Sequence, residues 1–191
     1  MKIMLDPGHG GDQPGAVHGG AKEKDINLSV VLRCAPVLRE LGHDVLLTRD
    51  NDATLSLAHR RAMIREYKPE AFVSVHCNAA GTAAVLGVET YYRDDGDWPL
   101  ANSVQTFLAA YTGRKDRGVL HDIGVLKKRL AMLNDPETPS CLVELGFMTS
   151  PIDMSYLISN VKTIGDVLAH GIDDYAHKKA GSKKIIFPGG G

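Results

Sequence analysis

The sequence has little that could hold a fold together from outside. Among 191 residues there are three cysteines, Cys34, Cys77 and Cys141. An odd number without paired spacing argues against a disulfide framework and for reduced, buried thiols, as in a cytosolic protein. Neither sign of charge is in excess: Lys+Arg 22 against Asp+Glu 23 leaves a formal net charge of -1. Nothing there suggests the basic face that a nucleic-acid partner needs. No apolar run approaches the roughly 20 residues of a membrane span, so no membrane insertion is expected. The opening MKIMLDPGHGG offers only Ile3–Leu5 as an apolar stretch, too short for the core of a signal peptide. A protein made in the cytoplasm is the expectation. What remains is ordinary globular composition, 43% hydrophobic and 24% charged, in a length that suits one domain able to bury its own core.

Strand and helix signals alternate along the chain. Lys2–Leu5 reads as a short buried strand, followed by Gly-rich loops at Asp6–Gly11 and Gly15–Gly20. Asp25 is placed to N-cap a helix over Ile26–Leu41, with Leu28, Val31, Ala35, Leu38 and Leu41 on one face. Pro36 inside that helix is a cost of about 3 kcal/mol or a kink, and Gly42 ends it. Further strands are expected at Asp44–Thr48, Ala71–His76, Gly87–Tyr92 and Ser140–Leu145. Helices are expected at Leu55–Tyr67, Pro99–Tyr111, Ile152–Ser159 and Val161–His177, the last two broken near Asn160. Val125–Leu133 is ambiguous. Ala71–His76 is apolar nearly throughout, as in a strand covered on both faces. The alternation predicts an α/β single domain, helices around a mostly parallel sheet, over residues 1–177. The tail 178–191, KKAGSKKIIFPGGG, turns basic, then apolar, then Gly-only; it reads as a tail or truncated linker.

Four polar residues sit where α/β proteins place active sites, at strand ends and the loops that follow. These are His9 in the loop after the first strand, Glu23 just before the first helix, His76 at the end of the third strand and Glu144 late in the last. Two histidines and a carboxylate from separate segments make a catalytic zinc site with a fourth position open for water; a further carboxylate that is not a ligand takes the proton. Strand alternation puts Ser74, His76 and Asn78 on one face and turns Cys77 away from the metal. Glu144 is costly in an apolar strand unless paired or at work. Singly, each residue has a plainer reading: a turn histidine, a strand-end histidine, a solvated helix-start carboxylate favoured by the dipole. His18 lies in the loop between two proposed ligands and is the reserve candidate, and Asp25 rivals Glu23. His43, His59, His121, His170 and His177 read as surface or satisfied polar residues.

Together DPGHGG (Asp6–Gly11), EKDINL (Glu23–Leu28), SVHCNA (Ser74–Ala79) and VELGF (Val143–Phe147) resemble the zinc-dependent N-acetylmuramoyl-L-alanine amidase family of bacterial autolysins and phage endolysins. Thr48-Arg49-Asp50, Leu57, Arg60–Arg61, Gly87–Tyr91 and Arg117-Gly118-Val119 also fit, so the resemblance runs over about residues 2 to 177. It implies a twisted sheet of about six strands flanked by helices. It implies one zinc ion per chain on His9, Glu23 and His76, with Asp6 and Asn78 as candidates for orienting the ligands. The implied reaction is hydrolysis of the amide joining N-acetylmuramic acid to L-alanine of peptidoglycan, by zinc-activated water with Glu144 as general base. Met148-Thr149-Ser150-Pro151 departs from the Ser-Asn that often follows VELGF in the family. Residues 93–140 have no room for the helical segment that plugs the site in regulated members. Without an export signal, the reading is a phage endolysin, a monomer that reaches the wall after a separate holin opens the membrane; a trimmed bacterial autolysin is the alternative. Other readings are a metallohydrolase of a different acyl substrate using the same four residues, and a catalytically dead wall-binding module, from which no ligand or base is missing here. Nucleotide binding lacks a GxxxxGK[ST] phosphate loop.

Overall fold

The segments Lys2–Pro7 (β1), Asp44–Leu47 (β4), Ala71–Asn78 (β5), Val88–Tyr92 (β6), Asp116–His121 (β7) and Ser140–Phe147 (β8) pair into one six-stranded sheet; β7, with only Val119 and Leu120 apolar, is a strand the sequence pattern does not announce. A two-residue hairpin, β2 (Val17–His18) and β3 (Ala21–Lys22), stands apart from it, inside what the sequence presents as Gly-rich loop. The helices are α1 (Glu23–Glu40), α2 (Leu57–Tyr67), α3 (Trp98–Thr112), α4 (Asp122–Leu126), α5 (Pro151–Ser159) and α6 (Val161–Lys179). The structure is a computed structural model that describes residues 1–134 and 137–182. The strand order is β4-β1-β5-β8-β6-β7. The first four in that order run parallel; β6 lies antiparallel to β8, and β7 follows β6 in parallel. The sheet is thus mostly parallel, as expected, with a two-strand reversal at one edge.

Alternation along the strands divides the core. Ile3, Leu5, Val73, Val75, Cys77, Val143 and Leu145 join the large cluster with residues of α1, α3 and α6. On the opposite face Met4 and Phe72 meet Ile64 of α2 and Met132, and Leu142 and Tyr91 meet Leu133. The central strands are therefore covered on both sides, which is why Ala71–His76 carries so little polarity. The three cysteines are buried and free.

Helix α1 begins at Glu23, not Ile26, and Asp25 is not its cap: the cap position is Lys22, without a side-chain cap bond. The first orphan donors are met by loop backbone, Glu23 N–H to Ala16 O at 2.9 Å and Lys24 N–H to Pro14 O at 3.1 Å. The buried face is Ile26, Val30, Val31, Cys34, Ala35, Val37 and Leu38; Leu28 is half-buried and Leu41, past the helix end, is exposed. Pro36 is exposed, and so is Leu32 one turn earlier, whose carbonyl loses its intrahelical donor. Gly42 follows with φ +89 and an N–H bonded to Arg39 O, the expected helix stop. β5 and β8 each run two residues past the expected ends, because they remain paired as far as Asn78 and Phe147. The ambiguous Val125–Leu133 resolves into the end of α4 and a 3-10 turn over Ala131–Leu133. The expected tail from Lys178 begins as the last turn of α6; positions 183–191 lie outside the described residues.

Candidate active site

His9, Glu23 and His76 come together at the carboxyl end of the parallel strands. Among the described residues they form a cluster whose donor atoms all lie within 4.8 Å of one another. Glu23 bridges the histidines: Oε2 is 3.1 Å from His9 Nε2 and Oε1 is 2.8 Å from His76 Nδ1. The imidazole rings stand edge-on at a centroid distance of 5.0 Å.

Local backbone makes this approach possible. His9 itself takes φ +61, followed by Gly10 at +132 and Gly11 at +54, a run that needs glycine around it. A Cβ on Gly8 would fall 2.2 Å from the His76 ring. The carbonyls of this loop are held by two buried guanidinium groups. Arg49 donates to Pro7 O at 2.9 Å through Nε and to Gly8 O at 2.9 Å through Nη2. Arg60 donates to Pro7 O at 3.0 Å and His9 O at 2.5 Å. Asp6, expected beside the ligands, pairs with Arg60 Nη1 and accepts from Thr48 Oγ1 at 2.6 Å and Ser74 Oγ at 2.7 Å. It reaches His9 only through Arg60. Glu23 is oriented by Asn27, one turn along α1, whose Nδ2 donates to it at 3.3 Å and also to Gly8 O. Backbone N–H groups of Ala16 and Cys77 donate to it as well, at 2.8 and 3.2 Å. Burial alone would raise the Glu23 carboxyl, but the bonds with His76 and His9 outweigh it and hold the group well below the usual carboxylate range. Cys77 faces the main core, away from this cluster, as alternation requires.

Glu144 is in register with His76 across the β5–β8 pair. Its Oε2 is sealed from solvent without a hydrogen-bond partner. Burial first, then the charges of Glu23 and Glu89, push its carboxyl well above the ordinary value. Asn78 shares the face of His76 but bonds Glu89 Oε1 at 2.8 Å rather than a histidine. Glu89, Arg117, Asn27, Arg49 and Arg60 were not singled out as site residues from sequence. Glu89 carried a usable signal, a lone carboxylate in the apolar strand Val88–Tyr92, the same argument that marks Glu144. The reserve candidate His18 is exposed on the β2–β3 hairpin, and Asp25 points outward from the first turn of α1.

A cleft of about 230 Å³ lies over the cluster, lined by Asp6, Gly8, His9, Gln13, Leu57, Arg60, His76 and Met132. Between β7 and β8 the described residues form the five-residue α4 and the 3-10 turn, and the rest of residues 93–140 holds the 15-residue α3, packed on the sheet and on α6. The departure at Met148–Pro151 is accommodated: Ser150 caps α5, and Thr149 Oγ1 accepts from Ala80 N–H at 3.0 Å.

Comparison with known proteins agrees with this architecture. Residues 3–174 match the Amidase_3 family, described as N-acetylmuramoyl-L-alanine amidase. YqiI, an uncharacterized Bacillus subtilis protein, is 34% identical over 179 residues, 91% of this chain and 84% of YqiI. The Bacillus subtilis N-acetylmuramoyl-L-alanine amidase LytC is 36% identical over 161 residues, 81% of this chain but only 31% of LytC. The solved structure of N-acetylmuramoyl-L-alanine amidase AmiC2 of Nostoc punctiforme superposes with a TM-score of 0.85 at 33% identity, covering 92% of this chain and 97% of that one. With the whole sheet and nearly the whole sequence matched, the chain belongs to the N-acetylmuramoyl-L-alanine amidase family.

Proposed function

We propose that residues 1–177 are a zinc amidase domain that hydrolyses the amide between N-acetylmuramic acid and L-alanine of peptidoglycan, with 178–191 a tail or linker. The observation that carries this reading is the pairing of a His9–Glu23–His76 cluster with an unpartnered, sealed carboxylate oxygen on Glu144. Two imidazoles and one carboxylate are the donor set of a catalytic zinc with an open position. When bound, zinc supplies Lewis acidity, lowering the pKa of water and polarising a carbonyl.

The chain's own residues do the rest. Glu23 is held ionised by its bonds with His76 and His9 and is oriented by Asn27 and two backbone N–H groups, so its carboxylate would be a ligand with its direction already set. Glu144 accepts the proton of the attacking water and returns it to the alanine nitrogen as the C–N bond breaks. The products are a lactyl carboxylate and a free alanine amine. A carboxyl pushed upward by burial suits both directions of that transfer. Asp6 and Asn78 act one step back, through Arg60 and Glu89.

Purified protein should hold about one zinc per chain. A chelator should remove it with loss of activity and part of the stability. Digested peptidoglycan should gain L-alanine amines without new reducing sugar ends. Full activity in protein free of metal, or new reducing ends alone, would sink the reading. The domain is proposed to act as a monomer. The three free, buried thiols suit synthesis in a reducing cytoplasm and therefore the endolysin route through a holin-opened membrane; the named relatives are bacterial, which favours an autolysin. Lysis confined to prophage induction would mark the first, and protein on the wall of uninduced cells the second.

A further inference from the structure

The sheet face that carries the site continues past it. His76 on β5, Glu144 on β8 and Glu89 on β6 stand side by side in register, and Arg117 on β7 reaches Glu89 Oε2 through Nε at 2.5 Å. The outer end of this row, Arg117, has no role in the chemistry above. Glu89 is 2% exposed and fully engaged: Oε1 accepts from Asn78 Nδ2 and Tyr91 Oη, both at 2.8 Å. Arg117 is different. Its side chain is 30% exposed, it lies over the Phe147 ring at 4.9 Å, and among the described residues its two terminal nitrogens have no partner. The contact with Glu89 uses Nε alone. A guanidinium serving only to neutralise Glu89 would be better spent on a two-pronged pair. Here the fork edge of the guanidinium is left open while Glu89 and Phe147 hold the group from behind. The other cations around the cleft are committed: Arg49 to loop carbonyls, Arg60 to Asp6 and carbonyls, Lys24 to Asp52 and Gly11 O.

We propose that Arg117 is a specificity-determining residue that binds a carboxylate on the peptide side of the scissile amide. This rests on the amidase reading and names what the site recognises beyond the alanine. The reach agrees. Two strand spacings separate β7 from β8, about 10 Å. Two extended residues beyond the cut span about 7 Å, and the inward-leaning arginine covers the remainder. The group within that span is the α-carboxylate of the second stem residue, which peptidoglycans carry either free or as a carboxamide. A planar fork of N–H donors matches the carboxylate and not the amide, whose NH₂ would face a donor.

The test uses the zinc-loaded protein and two matched peptidoglycan preparations, one with a free carboxylate at the second stem residue and one with the carboxamide. The rate of L-alanine amine release gives kcat and KM for each. The parent should prefer the carboxylate by at least about tenfold in kcat/KM, mainly through KM. Arg117→Gln should bring that preference close to one by losing rate on the carboxylate material alone, and Arg117→Lys, which keeps the charge without the fork, should retain part of it. A parent with no preference overturns the assignment before any variant is made. So does Arg117→Gln if it slows both materials equally, the mark of a merely structural ion pair. A parent that cleaves neither material fails at the amidase reading itself, which separates the two hypotheses.

Discussion

Gly8 has no side chain to ligate a metal, yet its substitution should empty the proposed zinc site. A Cβ added there would lie 2.2 Å from His76 Cε1 and 2.3 Å from Nε2, against 3.4 Å for ordinary contact. Either the ring or the loop must retreat by about 1 Å. The loop resists: Gly8 N–H bonds Val75 O at 2.9 Å, and its carbonyl is held by Arg49 and Asn27. The ring is the softer partner, and metal–ligand distances tolerate only about 0.2 Å. Gly8→Ala should therefore lower zinc affinity by at least about 100-fold, which at a fixed zinc excess removes about 2.8 kcal/mol of metal-linked stability. Overpacking in the metal-free protein adds about 1–3 kcal/mol. Thermal melts with and without zinc, and competition with a chromophoric chelator, separate the two losses. A Gly8→Ala protein that binds zinc as tightly as the parent would refute the close packing of this loop on His76.

Glu144→Gln should fold and keep its zinc while kcat falls by roughly 10²–10⁴; turnover near the parent rate would remove Glu144 from the chemistry. Arg60→Ala leaves Asp6 buried beside Thr48 and Ser74 without its cation, and should cost about 3–5 kcal/mol in chemical denaturation; a loss under about 1 kcal/mol would contradict that pairing. Asp166 ties α6 to α1 through Arg33 at 2.5 Å. Burial opposes its ionisation, but the bonds from Arg33 and Lys162 prevail and hold its carboxyl below the ordinary aspartate value. Its stabilisation is therefore present above that value and lost as pH falls through the lower folded pKa. Parent and Asp166→Asn should differ at neutral pH and converge in strong acid; a constant difference across the titration would oppose this.

Five of the six sheet strands, most helix bounds and the segments carrying the candidate residues His9, Glu23, His76 and Glu144 were legible because each carried a local mark; β7 was not, since Asp116–His121 has neither an apolar run nor a clean alternation. Strands showed runs of apolar residues, and His9, His76 and Glu144 interrupted such runs or sat among glycines. The start of α1 was not legible, since its first donors are satisfied by Pro14 and Ala16, residues whose placement depends on the folded loop. Nor were Arg49 and Arg60. A charged residue on a helix or in a loop reads as solvent-facing, and only the tertiary arrangement buries these two at 4% and 2% exposure. Asn27 was passed over for the same reason, being a polar residue on an otherwise apolar stripe.

Because β6 and β7 run opposite to the other four strands, loops that enter a strand share one rim with loops that leave one. The segments 8–22, 48–56, 79–87, 113–115 and 148–150 all emerge at the end of the sheet where His76, Glu144 and Glu89 stand. Of these, 79–87 is largely exposed until Gly87 and carries no strand pairing. Lengthening it would build out the rim beside His76 and Glu144 while the strand ladder that sets their register is left intact.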